Sequence, residues 1–563
     1  MEEKKPTPEE AGKAALCGLK KTCAHAGTFC KELLESIIRD NENTEYGTKC
    51  NFKDIHSVDE FKKTVPFSTY SDYDEYIKRM VKGEKKLMTV YPIIHYATTS
   101  GSVGVPKKIP VSNKTIQLYA KYTSNAATAL IAEYVQKKEG RQLKNGKRIL
   151  TAVVSQGTVA DGTSTGAISG KMYWAVRDLM KRVVASPEEV LYSSEKMNFK
   201  YLKAFYGLKE PNVTVLAAPF STAAYDLLSY IENNWQTLCD DIEKGAINKD
   251  VEISISLRKK FNSELRPDPE RATELRKIFG EGFDKPFVRR VWPNLEYINA
   301  IGAGGFVSYT KMLRRYTGDL PMVFGNYAAS EAMMAVVTEV ESMEYTLIPE
   351  GGFYEFIPVD LDYEDEKQVM EHTLLLNELE VGKDYEIVIT NLSGLYRYRI
   401  GDVITVVGYE GESPKVCFHY RKNQMISLAG EKTSEDCIRY VAEKISEKIG
   451  KDVLDYSIYA DRSTKPGRYH LLMEAKGHVP QNQLPSCRDV AEDAMSYANP
   501  SYGNKIKEKI LSPMLFDFVL PETYMLYREV MLKKGVSENQ LKPVRVIDNP
   551  FKEKFFFGLL DRE

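Results

Sequence analysis

The sequence predicts an α/β protein in which a large N-terminal domain, with mixed sheets, helices and a β-rich subdomain, precedes a small α+β C-terminal domain. Three observations carry this. At 563 residues the chain exceeds what one ordinary core organises, so two or three domains are expected. "RILTAVVS" (148–155) and "NVTVLAAPF" (212–220) are short, nearly continuous apolar runs separated by helical segments, the pattern of strands buried on both faces. From Asp384 the pattern changes to closely spaced runs, "DYEIVITNLSGLYRYRIGDVITVVGYEGESPKVCFHYRK", with Ser-Gly and Glu-Gly turns, which reads as antiparallel sheet.

In chain order, residues 8–39 read as one helix, with Cys17, Cys23 and Cys30 six and seven apart on a buried stripe. "HYATTSGSVGVPKKIPVS" (95–112) crowds hydroxyls, glycines and lysines between two β-prone runs. "NKTIQLYAKYTSNAATALIAEYVQKKEG" then reads as a helix with Ile116, Tyr119, Thr123, Ala126, Leu130 and Tyr134 on one face. "RRVWPNLEYINAIGAGGFVSYTKMLRRYTG" gives strand, glycine turn and helix, and "LPMVFGNYAASEAMMAVV" gives another strand and turn. After Arg421, Thr433 and Asp436 form a T-x-x-D capping signal before Ile438, Val441 and Ile445, and Gly450 can end that helix. "DYSIYAD" and "RYHLLMEA" are strands flanking a Lys465-Pro466-Gly467 turn. The domain boundary is expected near 421–425, dividing 1–422 from 423–563.

Composition narrows the function. Apolar residues make up 43% and charged residues 28%, a soluble balance, and no stretch reaches the roughly 18 unbroken apolar residues a membrane helix needs. "MEEKKPTPEE" has no apolar core behind its lysines, so a cytoplasmic location is expected. Eight cysteines without a CxxC pair read as free thiols. A net charge of −2 without a long basic run argues against nucleic acid, leaving small molecules as the expected partners; a monomer is the working expectation, which no feature of the sequence decides.

The 95–112 segment is neither a Walker A loop nor a dinucleotide fingerprint, and a Ser/Gly cluster of this kind can be an ordinary turn. Read as [ST]-[ST]-G-[ST]-x-G-x-P-K, Thr99 to Lys107 resembles the phosphate loop of adenylate-forming enzymes. "NYAASEA" places Tyr327, Ser330 and Glu331 after a strand, where that superfamily carries Y-x-x-[ST]-E, and "YRYRIGD" supplies Asp402 in the place of its Y-R-x-G-D aspartate. The residue types suit the chemistry: an aromatic can stack on adenine, a hydroxyl can reach a phosphate, and a carboxylate can hold a hard cation. Taken singly, Tyr327 reads as core, Glu331 as a helix-start acid and Asp402 as part of a Gly-Asp turn.

The stretches "VPFSTYSDYDEYIKRMVKGE", "WPNLEYI", "YAASE", "GLYRYRIGD", "YRKNQMISLAGEKTSE", "YADRSTKPGRYHLLMEA" and "NQLKPVRVI" together resemble the Gretchen Hagen family of auxin-responsive acyl-acid amido synthetases, over about residues 30–547. The resemblance implies an N-terminal adenylation domain (1–422), a mobile C-terminal domain (423–563) and a two-step ATP-dependent ligase joining a carboxylic acid to an amino acid or other amine. It implies that Thr99, Ser100, Gly101, Ser102 and Gly104 bind phosphates with Lys107 adding charge, that Tyr327 faces adenine and Ser330 the α-phosphate, and that Glu331 holds Mg²⁺. Asp402 would grip the ribose with Arg421 near it, Asn423 would be the hinge, and Lys542 would bridge carboxylate and α-phosphate. Val103 in place of a hydroxyl removes one phosphate donor and shifts the expected load to backbone N–H groups, while Pro106 resembles the acyl-CoA ligase branch, so a coenzyme A acceptor is the alternative, and a binding protein without turnover is the non-enzyme one. "GTSTG" (162–166) also fits the G-x-S-x-G of α/β-hydrolases, with Ser164 as nucleophile and His372 or His419 as base, although a polar turn stands where the elbow needs a strand.

Overall fold

The computed structural model describes residues 6–99, 107–154, 156–192, 195, 197–359, 366–422, 426–429, 431, 433–534, 536 and 541–562. It divides into two compact units. The first runs to Ile400 and includes Thr405–Cys417; the second joins Gly401–Ile404 to the chain from Phe418 onward.

The first unit opens with two helices rather than one. Thr7 caps Pro8–Cys23 in a capping box with Glu10, and the chain breaks at residues 24–25 before Ala26–Asn41. Cys23 and Cys30 are buried, each on its own helix, but Cys17 is exposed, because six residues advance a helix by roughly 240° and carry Cys17 off the face that buries Cys23. The expected helix after the loop is likewise two, Asn113–Tyr122 and Ser124–Glu139, parted at Thr123, whose ψ of −115° is not helical.

Among the described residues, three sheets are built wholly or largely from this unit. The segments around "RILTAVVS" and "NVTVLAAPF" form strands Lys147–Leu150 and Val213–Phe220, which pair in parallel and continue through Tyr297–Ile301 to Met322–Val323. Helices close over this sheet around a core that includes Leu216, Leu228, Phe287, Trp292 and Ile298. The glycine-rich segment is framed by a second sheet ordered Lys107–Ser112, Ile93–Thr99, Ser164–Gly166, Gln156–Thr158, whose central pair is parallel and whose outer pairs are antiparallel. The third, in the order Phe353–Pro358, Asp384–Thr390, Tyr398–Glu410, Ser413–Arg421, Tyr345–Leu347, Met333–Val337, Asn326–Ala328, is the expected β-rich part.

The second unit packs helices Glu435–Ile449 and Leu484–Ala498 on a sheet ordered Leu515–Phe518, Arg468–Ala475, Val453–Asp461, Val546–Ile547. Ile438, Val441 and Ile445 are buried and Gly450 ends its helix at φ 64°. The expected capping role of Thr433 is not formed. Ser434 occupies the cap position, and the Thr433 hydroxyl instead accepts a hydrogen bond from Asn499 at 3.0 Å. Among the described residues, no helix is long and apolar enough to cross a membrane.

Candidate active site

The glycine-rich loop is flanked by paired strands. Thr99 closes one strand, Lys107 opens the next, and the two are paired directly. Ser100, Gly101, Ser102 and Gly104 lie outside the described residues, as do Val103 and Pro106. Lys107 is exposed, with its ammonium 5.1 Å from the centre of the Tyr70 ring.

Ser330 and Glu331 form the tip of a hairpin. Ala329 and Ala332 exchange both backbone hydrogen bonds, at 2.9 and 3.3 Å, which leaves a two-residue loop between strands Asn326–Ala328 and Met333–Val337. The tip is tied down from three directions. The Tyr119 hydroxyl donates to the Ala329 carbonyl, the Asn391 amide donates to the Glu331 carbonyl at 2.7 Å, and the Tyr398 hydroxyl donates to the Glu331 carboxylate at 3.4 Å. Burial, and then the Glu331 charge, push the Tyr119 phenol far above its ordinary pKa, so it stays a donor. Glu331 is thus no helix-start acid. Tyr327, almost fully buried on the same hairpin, has its ring 6.2 Å from that of Tyr345.

Asn391 was not singled out from the sequence. It is buried, and its side-chain oxygen also accepts from the backbone N–H groups of Ser393 and Leu395, so one amide fixes both the turn before "LYRYR" and the Glu331 tip. The Asn-x-Ser-Gly turn chemistry is the only local signal for it. Within "LYRYRIGD", Arg397 is fully buried and makes a bidentate pair with Glu355 at 3.0 and 2.8 Å, with further bonds to the carbonyls of Lys62, Val65 and Met370. Arg399 pairs Glu386 at 2.8 and 2.7 Å. These two arginines hold the strand that carries Tyr398.

In the second unit, Asp402 follows Gly401, whose φ of 82° suits glycine. Its buried carboxylate accepts from Nε of Arg421, which remains partly exposed. Nearby in sequence, His419 lies 3.1 Å from Asp436, which also pairs Arg439 at 2.7 Å. Asn423 is outside the described residues. Lys542 is exposed and starts the segment leading into strand Val546–Ile547, which is anchored by Arg545. That guanidinium is buried between Asp455 and Glu435, the latter at 2.7 Å.

No group of three or more His, Cys, Asp or Glu side chains that could hold a metal occurs among the described residues. Mg²⁺ serving a nucleotide needs no such cage, since phosphates supply most of its ligands beside one or two carboxylates, and Glu331 fits that donor set.

Models of the GH3 family N-terminal, central and C-terminal domains match residues 15–322, 345–421 and 435–550. The chain belongs to the GH3 family. A jasmonoyl-L-amino acid synthetase GH3.5 of Oryza sativa subsp. japonica is 28% identical to it, covering 93% of this chain and 92% of its own. An indole-3-acetic acid-amido synthetase GH3.4 of Arabidopsis thaliana is 27% identical, covering 96% and 93%. A solved GH3.15 acyl acid amido synthetase superposes with a TM-score of 0.82 at 25% identity, covering 99% of this chain and 98% of that one. Within this GH3 chain the central-domain match includes Asp402 and Arg421, and the C-terminal match includes Lys542.

The hydrolase reading fails on geometry. A turn closed by the Val159 N–H on the Thr163 carbonyl precedes Ser164, which is itself the first residue of a strand and faces His95 rather than His372 or His419.

Proposed function

We propose that this GH3 protein is an ATP-dependent acyl-acid amido synthetase. It adenylates a carboxylic acid with release of pyrophosphate, then passes the acyl group to the amine of an amino acid with release of AMP. The observation that carries the reading is the Ser330–Glu331 hairpin tip, locked by Tyr119, Asn391 and Tyr398 in a chain that aligns over nearly its whole length with amido synthetases.

In the first step the acid's carboxylate oxygen attacks the α-phosphorus and the bond to pyrophosphate breaks. The negative oxygens gathered there are the problem the residues address. Ser330 donates to the α-phosphate, the 99–107 loop holds the β- and γ-phosphates, and Lys542 bridges the incoming carboxylate and the α-phosphate. Glu331 would hold Mg²⁺, which supplies charge neutralisation when bound. Asp402 accepts the ribose hydroxyls, with Arg421 beside it. In the second step a neutral amine attacks the acyl carbonyl, loses its proton, and AMP departs.

The test is mass spectrometry of a reaction with Mg·ATP, a pool of carboxylic acids and either amino acids or coenzyme A. AMP with a new amide is the expected result. AMP with a thioester would move the acceptor to coenzyme A, and ADP would sink the acyl-adenylate step.

A further inference from the structure

Three buried hydroxyls have no role in the scheme above. Ser112 ends the strand Lys107–Ser112 and caps the helix Asn113–Tyr122, its oxygen accepting from the Thr115 N–H at 3.3 Å. Thr115 sits in the first turn of that helix, and Ser393 belongs to the turn before "LYRYR". Their side-chain oxygens form a triangle, 3.1 Å from Ser112 to Thr115, 3.0 Å from Thr115 to Ser393 and 3.4 Å from Ser393 to Ser112. All three side chains are buried.

The ring uses every hydroxyl proton. Ser393 donates to Ser112, Ser112 to Thr115 and Thr115 back to Ser393, so each oxygen gives one hydrogen bond and receives one. The Ser393 oxygen also accepts from the Ser112 N–H at 3.0 Å, and the Ser393 N–H donates to the Asn391 side-chain oxygen at 2.9 Å. Apolar groups of the same shape would hold a helix against a turn about as firmly. What a fully satisfied polar ring adds is a single fixed geometry.

That geometry bears on the hairpin tip. From the helix that the ring braces, Tyr119 reaches the Ala329 carbonyl, and from the turn, Asn391 reaches the Glu331 carbonyl at 2.7 Å. The tip is therefore gripped at two carbonyls by two arms, and the far ends of those arms are joined at Ser393. Any slip of the helix against the turn would move one arm relative to the other and carry the Glu331 carboxylate with it. Every residue of this circuit lies in the first unit.

We propose that Ser393 is a positioning residue for the Glu331 carboxylate: its hydroxyl keeps the Tyr119 and Asn391 arms in register and so sets the affinity for the divalent cation that accompanies ATP. The inference rests on the reading that Glu331 holds that cation.

The test is the Mn²⁺ affinity of the full-length protein with α,β-methylene-ATP, the protein in excess over nucleotide, read from the electron paramagnetic resonance of the free ion. It needs no turnover. Ser393→Ala should bind Mn²⁺ about three- to ten-fold more weakly than wild type, less than the roughly 10- to 100-fold lost when a direct partner of a metal ligand is removed. Thr115→Val, which opens the ring from the helix side, should shift the affinity in the same direction. Added to Tyr119→Phe or Asn391→Ala, Ser393→Ala should weaken Mn²⁺ less than about two-fold further, because a brace between two arms does nothing once one is cut. Leu228→Ala, in the core of the parallel sheet, should lower the unfolding midpoint and leave Mn²⁺ affinity unchanged. Wild-type Mn²⁺ affinity in Ser393→Ala, with weak binding in Glu331→Gln, would overturn the proposal and leave the Glu331 reading standing. So would full additivity with Tyr119→Phe and Asn391→Ala, or an equal loss in Leu228→Ala. Unaltered Mn²⁺ affinity in Glu331→Gln would overturn that reading and the proposal with it.

Discussion

The buried carboxylate of Asp402 and the partly exposed guanidinium of Arg421 form an ion pair within the second unit. If that carboxylate receives the ribose hydroxyls, Asp402→Ala should raise the KM for ATP by about 10- to 100-fold, the range set by losing hydrogen bonds to a charged group. Steady-state kinetics with ATP varied decides it, and an unchanged KM removes Asp402 from the nucleotide site.

Lys542→Ala should lower ATP–pyrophosphate exchange by about 10²- to 10³-fold, the usual loss when a group stabilising transition-state charge is removed. Calorimetric affinity for ATP should stay within two-fold. Exchange near the wild-type rate would mean this lysine is ordinary solvated surface.

Asn391→Ala removes a side chain with no proposed ligand contact, yet it leaves the Glu331 carbonyl without its amide donor. The variant should need several-fold more Mg²⁺ for half-maximal activity while keeping its far-UV dichroism, and Glu331→Gln should need more still. A magnesium dependence identical to wild type in both would separate the hairpin tip from the metal.

Glu355→Ala would strand the fully buried Arg397 guanidinium. Breaking one half of such a pair costs about 3–5 kcal/mol. Denaturant unfolding of the variant should show a clearly earlier transition, whereas a midpoint within error of wild type would mean the surrounding carbonyls suffice.

His95 gives a pH signature with a definite sign. Its pKa falls from 6.5 to about 4 on folding, so the unfolded chain binds the proton more tightly. The stability involved is present above pH 6.5 and is lost as pH falls towards 4, on the order of 3 kcal/mol in all. His95→Gln should flatten the fall in unfolding free energy over that window, and an unaltered slope would mean the ring is solvated in the folded protein.

What could be read from the sequence was what short-range pattern encodes. Apolar runs marked the parallel strands at 147–150 and 213–220, and ordered motifs marked Tyr327, Glu331 and Asp402. The breaks at residues 24–25 and Thr123 were invisible because the apolar period carries across them, and only packing decides where a helix bends. Asn391 and Tyr119 were missed for a related reason: each acts on Glu331 or its neighbour from far away in the chain, and no local spacing records that. Arg397 was quoted within a motif, but its pairing with Glu355, 42 residues upstream, has no local trace.

The two-residue tip between Ala329 and Ala332 also limits how this chain can vary. Its strands meet through a reciprocal pair of backbone bonds, so one residue added or removed there would break that pairing and turn Glu331 away from Tyr398. Insertion and deletion at the tip are thereby closed off. Length changes accumulated over descent should gather instead at open turns such as that at Gly140, just past a helix end, where an added side chain would meet open space.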